Sequence, residues 1–120
     1  MTTKQIRDNI KDNRHHLDNL INFTKKTINV VIKHGESFAA VYAISNPTDD
    51  TIIYVGQTSD IASRIKQHMS GNSDFAKKIK IPENEFKWYK IRYRRMASER
   101  SRKLFESYVI GELKPKYNFK

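Results

Sequence analysis

Apolar residues repeat with helical spacing over the first third of the chain. Five of them are separated by 4, 7, 4 and 7 positions: Ile6, Ile10, Leu17, Ile21 and Ile28. That spacing keeps them on one stripe of a helix, and it predicts a helix over residues 3–33 that ends before Gly35. The run NVVI at 29–32 could instead form a strand, so the helix end stays open.

Beyond residue 35, short apolar runs alternate with turn-forming residues. The predicted segments are strands at 38–44 and 51–55, a helix at about 60–70, a short helix at 74–80, a strand at 86–94 and a helix at about 97–113. The turn SNPTDDT joins the first two strands as a hairpin. We therefore expect an α+β fold with a small mixed or antiparallel three-stranded sheet flanked by helices. Its β-β-α-β-α core would occupy residues 36–120, and residues 1–35 would be an N-terminal helical extension.

Composition limits the class of protein. A length of 120 residues fits one domain. The absence of cysteine excludes disulfides and cysteine-based zinc sites. No apolar run approaches the roughly 20 residues of a membrane span, and the first residues lack the apolar stretch of a secretory signal. We expect a cytoplasmic protein without a membrane partner, and its richness in Lys, Ile and Asn suggests a bacterial or phage genome.

The charge of the chain points to a polyanionic partner. There are 23 Lys and Arg against 13 Asp and Glu, which gives a net charge of +10. Residues 85–120 alone hold eleven basic and four acidic side chains. Nucleic acid is the commonest partner of so basic a small chain. A merely solubilising surface is the alternative.

Two polar residues lie beside the apolar face of the helix at 60–70. Arg64 and His68 are four residues apart. They lie at one edge of the apolar face that contains Ile61 and Ile65. An arginine there could bind a phosphate in a bidentate manner, and a histidine could move a proton. Alternatively, the arginine stem covers apolar surface and the histidine is hydrogen-bonded within the core.

A carboxylate in the last helix stands among apolar neighbours. Glu106 projects towards Val109 and Ile110, where an unpaired charge is costly. Arg102, one turn earlier, could be its ion-pair partner. Otherwise Glu106 could ligate Mg²⁺ or Mn²⁺ through oxygen.

These residues stand in an order that resembles the GIY-YIG nuclease superfamily. The matching pieces are VYA at 41–43, YVG at 54–56, an arginine eight residues after the glycine, HM at 68–69 and LFESYVIGELKPKYN at 104–118. The resemblance covers roughly residues 38–118. It implies catalytic roles for five residues: Tyr42, Tyr54, Arg64, His68 and Glu106. It also implies supporting roles for Gly56, Gln57 and Asn118, and it makes Glu106 the single metal-binding carboxylate.

Two positions depart from the family pattern. The first motif reads AVY where the family name has GIY, which a strand should tolerate. Many members carry lysine directly after YIG, where this chain has Gln57. Gln57 cannot help to deprotonate a tyrosine, so another base or the metal would have to do so.

The sequence therefore predicts a divalent-metal-dependent endonuclease that hydrolyses phosphodiester bonds in DNA, with one Mg²⁺ or Mn²⁺ per site. RNA is the alternative substrate, and the alternative function is a weakly active or non-catalytic nucleic-acid-binding module. Four cations are candidate nucleic-acid contacts: Lys90, Arg92, Arg94 and Arg102. Trp88 could extend them as a stacking platform, although such a residue more often packs in the core. The apolar stripe of the N-terminal helix must bury against the core or against a second subunit, so the helix could support a homodimer or a DNA clamp.

Overall fold

The structure is a computed structural model of the chain. It describes residues 3–21 and 26–118, and the side chains of residues 5–10 lie outside that description. The helices are α1 Thr3–Ile21, α2 Ile28–His34, α3 Ile61–Met69, α4 Asp74–Ile79, α5 Glu83–Phe86 and α6 Glu99–Leu113. The strands are β1 Lys26–Thr27, β2 Ala40–Ser45, β3 Ile52–Thr58 and β4 Lys90–Arg95, and a 3₁₀ turn spans Lys116–Asn118.

Within the described residues, four strands form one antiparallel sheet in the order β1-β4-β2-β3. The α+β class and the order β-β-α-β-α are confirmed. The predicted number of strands, three, is wrong because the sheet has a fourth strand, the two-residue β1 at its edge. Lys26 and Thr27 pair with Ile91 and Lys90, an interaction between distant segments that no periodicity along the chain reveals.

The single helix predicted over residues 3–33 is two helices with β1 before the second. Thr27 begins α2, because its side chain accepts a hydrogen bond from the N–H of Val30. Gly35 ends α2 in the left-handed region at φ 63°, as the sequence predicts. The helical spacing of apolar residues therefore continues past β1, although the pairing of β1 with β4 and the Thr27 cap interrupt the helix there. Ile6 and Ile10 belong to the predicted stripe, but their side chains are outside the described set.

The predicted third strand at 86–94 begins later, at Lys90. Glu83–Phe86 instead form one helical turn behind Pro82, with Glu83 and Glu85 in its first turn. Proline suits the start of a helix, and acidic side chains are favourable near its N-terminus. These local signals outweigh the apolar run that suggested a longer strand.

Helices cover both faces of the sheet. One core lies beneath α2, α3 and α4 and contains alternate sheet residues such as Tyr42, Ile44 and Ile91. The other lies beneath α1 and α6 and contains Val41, Ala43, Val55, Leu17 and Leu20. Every residue of β2 is buried, as expected for a central strand with both faces covered.

Strand β3 forms one edge of the sheet and carries a bulge. Ile44 pairs with Tyr54, but the next residue, Ser45, pairs with Ile52. The extra residue, Ile53, lets Ile52 and Tyr54 pack on opposite faces of the sheet. Regular alternation along a strand would put these two residues on the same face. Over the part of the chain that the structure covers, no helix is both long and apolar enough to cross a membrane.

Candidate active site

Tyr42 and Tyr54 come together on one face of the sheet. Their ring centroids are 6.2 Å apart, and Tyr42 pairs across the strands with Gly56. A Cβ atom on Gly56 would lie 2.5 Å from the Tyr42 hydroxyl oxygen and 2.6 Å from Cζ. Gly56 therefore leaves room for a phenol. It does not make a sharp turn, because β3 continues to Thr58.

Helix α3 places Arg64 and His68 over these tyrosines. Asp60 caps the helix by accepting from the Ser63 N–H, and Ile61 and Ile65 anchor it in the core. His68 is only 3% exposed, so it lies inside the core and not at its edge. Arg64 is partly buried and interacts with the hydroxyl groups of both Tyr42 and Tyr54.

A short hydrogen-bonded chain runs through His68. Its Nε2 lies 2.6 Å from the Tyr42 hydroxyl oxygen, and its Nδ1 lies 2.6 Å from Ser73 Oγ. Burial, with a smaller contribution from the charge of Arg64, lowers the pKa of His68 to about 3. Burial also raises the pKa of Tyr42 above its ordinary value, and the neighbouring Tyr54 adds to this while Arg64 opposes it. Both groups are therefore neutral near pH 7.

Glu106 reaches the same place from α6. Burial raises the pKa of its carboxyl group, while the N–H of Gln57 and the charges of Arg64 and Lys103 offset part of that rise. Electrostatic interactions couple Tyr42 to Glu106, as well as to Arg64 and Tyr54. The structure thus brings together all five residues that the resemblance implied were catalytic.

Gln57 turns its side chain away from the tyrosines. Its Oε1 accepts a hydrogen bond from Arg102 Nε at 3.0 Å. Arg102 is only 5% exposed and also donates to the carbonyl oxygens of Met96 and Ala97, at 3.0 and 2.8 Å. This network links β3 to the loop before α6. Arg102 was predicted to contact nucleic acid, but its burial does not suit that role, because its guanidinium is engaged inside the protein.

The side chain of Asn118 hydrogen-bonds to the outer edge of β3. Its Oδ1 accepts from the Val55 N–H at 2.8 Å, and its Nδ2 donates to the Val55 carbonyl oxygen at 2.7 Å. Two residues further along the same edge, the Gln57 N–H bonds to Glu106. Asn118 therefore supports the strand that carries Tyr54 and Gly56 and is not a free turn residue.

The other predicted nucleic-acid contacts lie away from the tyrosines. Arg92 and Arg94 pair with Ala43 and Val41, so they stand on the face of the sheet that α1 and α6 cover. Lys90 forms an ion pair with Asp50 at 3.4 Å. Trp88 precedes β4 and is 55% exposed, so it is not a core residue. Lys90, Arg92 and Arg94 share one face of β4, whereas Trp88 lies outside the strand.

Ser73 was missed in the sequence. It is 3% exposed and caps α4, where Oγ accepts from the Ala76 N–H at 3.1 Å. A serine before an acidic residue and an apolar run is an N-cap signal. That signal could have located Ser73, but its contact with His68 depends on the tertiary fold.

Glu106 is the residue here that could hold a metal ion. Among the side chains that the structure describes, no cluster of three or more His, Cys, Asp or Glu could do so alone. Mg²⁺ commonly uses one or two carboxylates and completes its shell with water and substrate phosphates. A half-buried carboxylate beside Arg64, which could bind the same phosphate, fits that mode of binding.

Comparisons with known proteins agree with this geometry. The family model of the GIY-YIG catalytic domain matches residues 38–118. No protein of curated function matches the chain significantly.

Solved structures of the GIY-YIG N-terminal endonuclease domain of UvrC from Thermotoga maritima share the fold. Two point mutants bound to a catalytic divalent cation are 20% and 19% identical to this chain, each with a TM-score of 0.61, covering 78% of this chain and 96% of theirs. The magnesium-bound form is 21% identical to this chain, with a TM-score of 0.60. The match covers 77% of this chain and 96% of the UvrC domain. Because the family model spans two-thirds of the residues and the motif residues meet in one site, this chain belongs to the GIY-YIG family of nuclease catalytic domains.

Proposed function

We propose that this protein is an endonuclease that hydrolyses phosphodiester bonds in DNA with one Mg²⁺ or Mn²⁺ per site. The observation that carries the proposal is the 2.6 Å contact between the Tyr42 hydroxyl and His68 Nε2, beside Arg64 and Glu106. A base, a cation and a carboxylate in one place are what phosphodiester hydrolysis requires.

Tyr42 is the general base in this proposal. As the oxygen of a water molecule attacks phosphorus, the phenol oxygen takes the water proton while its own proton passes to His68 Nε2. The bond from phosphorus to the leaving oxygen breaks in the same step. His68 thereby supplies the proton acceptor that the family lysine would supply at position 57.

Arg64 has two successive partners in this scheme. Tyr42 is 0% exposed, and the Arg64 guanidinium lies against its hydroxyl. A phosphate that draws Arg64 towards itself would open the path to the phenol and pair the cation with developing negative charge. Neutralising Arg64 would also make a proton on His68 less costly, because the charge of Arg64 lowers the His68 pKa.

Glu106 would hold the divalent cation, which supplies Lewis-acid stabilisation of the phosphate and leaving group when bound. The UvrC domains of the same fold were solved with such a cation, in one case magnesium. In this chain the Gln57 N–H and the Arg64 charge favour the ionised carboxylate that a cation needs.

The test is cleavage of supercoiled plasmid with Mg²⁺ or Mn²⁺. Glu106→Gln and Arg64→Ala should each abolish cleavage without loss of the folded state, measured by thermal unfolding. Lys66→Ala is the matched control, because Lys66 is exposed on the same helix as Arg64. Wild-type rates in pure Glu106→Gln protein would refute the metal role.

A binding module on the same fold is the second candidate, favoured by the side chain of Gln57, which Arg102 holds away from the tyrosines. Exposed Trp88, with Lys87 Nζ 5.4 Å from its ring centroid, could stack on a base. DNA binding that survives EDTA, with no nicks after long incubation in metal, would favour this second function.

Pairing of two copies through α1 stays a prediction, and so do the cytoplasmic location and DNA as the substrate in preference to RNA. Leu17 and Leu20 of α1 pack into the protein's own core, so a dimer would have to use other residues of that helix. Light scattering at high micromolar concentration would detect such a dimer.

A further inference from the structure

Ser73 lies where it can control which ring nitrogen of His68 carries the proton. A neutral imidazole has one N–H donor and one lone-pair acceptor, and both nitrogens of His68 have a hydroxyl partner at 2.6 Å. The proton on one nitrogen therefore decides what the other nitrogen can do. If it stands on Nδ1, Nε2 can accept from Tyr42, and if it stands on Nε2, the phenol proton has no acceptor in His68.

The position of the His68 ring is tightly fixed. Three aromatic rings surround it, with centroids 5.8, 5.5 and 5.2 Å away in Tyr42, Tyr54 and Phe75. Tyr54 and Phe75 meet it edge-on, at interplanar angles of 79° and 87°. The ring cannot flip without breaking both hydrogen bonds in this packed site, so its two nitrogens keep their partners.

The hydroxyl of Ser73 is well placed to accept. Its Oγ already accepts from the Ala76 N–H at the start of α4, and a hydroxyl oxygen has a second lone pair for an Nδ1–H donor. The capping bond and the near-complete burial of Ser73 both restrict its side chain to this orientation. A serine that caps one helix thus orients a histidine in another.

We propose that Ser73 is a positioning residue for hydrolysis, holding His68 as the Nδ1–H tautomer so that the Nε2 lone pair faces the Tyr42 hydroxyl. The proposal rests on the proposed function for its catalytic meaning, but the tautomer itself is a property of the folded protein. When Tyr42 gives its proton to Nε2, the imidazolium formed keeps its Nδ1–H bond to Ser73. That bond favours the charged ring where burial alone opposes it.

The first measurement is ¹⁵N NMR of the imidazole nitrogens of His68 at pH 7 in the absence of DNA. We expect a protonated Nδ1 and an unprotonated Nε2 in wild-type protein. In Ser73→Ala the signals should move towards the Nε2–H form. A wild-type protein with the proton on Nε2, or a variant with unchanged signals, would overturn the proposal.

The second measurement is steady-state plasmid cleavage. Ser73→Ala should lower kcat by roughly tenfold to a hundredfold with little change in KM, because small misplacements of a catalytic group cost rate more than binding. Ser73→Thr, which keeps the hydroxyl, should restore most of kcat. Equal kcat in Ser73→Ala and wild type would contradict a positioning role.

Loss of the α4 cap is a separate effect and needs its own controls. Ser73→Gly removes the hydroxyl but keeps a residue that caps nearly as well, so it should fold where Ser73→Ala fails. Thr27→Ala removes the cap of α2 and should leave kcat unchanged. If wild-type protein cleaves no DNA with any metal, the proposed function fails. The NMR result in Ser73→Gly then still confirms or refutes the control of the tautomer.

Discussion

At the scale of single residues, Gly56 is important for the side chain it lacks. The Tyr42 ring occupies the space that a Cβ would need, with Cε1 also only 3.0 Å from the ideal Cβ position. Tyr42 cannot yield easily, because it is fully buried and hydrogen-bonded to His68. Gly56 thus admits the phenol that we propose as the general base.

We predict that Gly56→Ala lowers the free energy of unfolding by about 1–3 kcal/mol, the usual cost of overpacking. It should also abolish cleavage, because the phenol must leave His68. Gly111→Ala is the control, since nothing lies within 4 Å of a Cβ there and the position is helical. It should be neutral or stabilising by up to about 1 kcal/mol. Urea denaturation measures both, and an active Gly56→Ala protein would contradict the prediction.

His68 should also shape the dependence of stability on pH. Its folded-state pKa of about 3 lies below the ordinary histidine value of 6.5. As the pH falls through 6.5 towards 3, the unfolded chain binds a proton at this residue that the folded protein refuses, so stability is lost. The charged or titratable groups that face His68 are Arg64, Tyr42 and Tyr54.

We predict that His68→Gln makes the loss of stability between pH 6.5 and 3 less steep than in wild type. Other groups titrate in this range in both proteins, so the difference between their curves isolates His68. Urea midpoints at a series of pH values measure it. Parallel curves for the two proteins would show that His68 is not buried in its neutral form.

At the scale of secondary-structure elements, the helical and strand periods of the chain predict the core order correctly. They fail where pairing between distant segments decides. Strand β1 exists because Lys26 and Thr27 meet β4, and α5 replaces the start of a strand because Pro82 and two glutamates favour a helical turn. The five catalytic candidates were predictable because a motif order carries them, whereas Ser73 becomes visible only when α3 and α4 are packed together.

Helix α6 and strand β3 are joined by Arg102, whose buried guanidinium disfavours a lysine at position 57. A lysine at position 57 would place a second cation against a buried guanidinium whose bonds go to neutral oxygens. Gln57 and Arg102 therefore form a matched pair.

We predict that Gln57→Lys and Arg102→Met each destabilise the protein, the latter by about 3 kcal/mol, because buried carbonyl oxygens lose their donor. The double variant should be more stable than the sum of the single effects, because the repulsion is gone. A double-mutant cycle by urea denaturation measures the coupling. Strictly additive effects would argue against the pairing.

At the scale of the whole molecule, charge and chemistry lie on different parts of the sheet. The tyrosines and His68 occupy one face, while Arg92 and Arg94 stand on the other. DNA that reaches both would have to pass around the sheet. The net charge of +10 attracts a polyanion but does not determine which surface of the protein it contacts.

We predict that DNA affinity falls steeply with salt. If Arg92 and Arg94 contact phosphates, replacing both with Gln should reduce the slope of log affinity against log salt by about 2, near 0.9 for each contact. Fluorescence anisotropy with a labelled duplex at several salt concentrations measures this slope. An unchanged slope would show that Arg92 and Arg94 make no contacts with phosphates.

The two hydrogen bonds between Asn118 and the backbone of Val55 also bear on aggregation. Edge strands with free N–H and carbonyl groups pair readily with other edges, which leads to aggregation. A chain shortened before Pro115 would expose those groups of Val55. We expect its first defect to be self-association through β3, so the turn Lys116–Asn118 also protects this edge of the sheet.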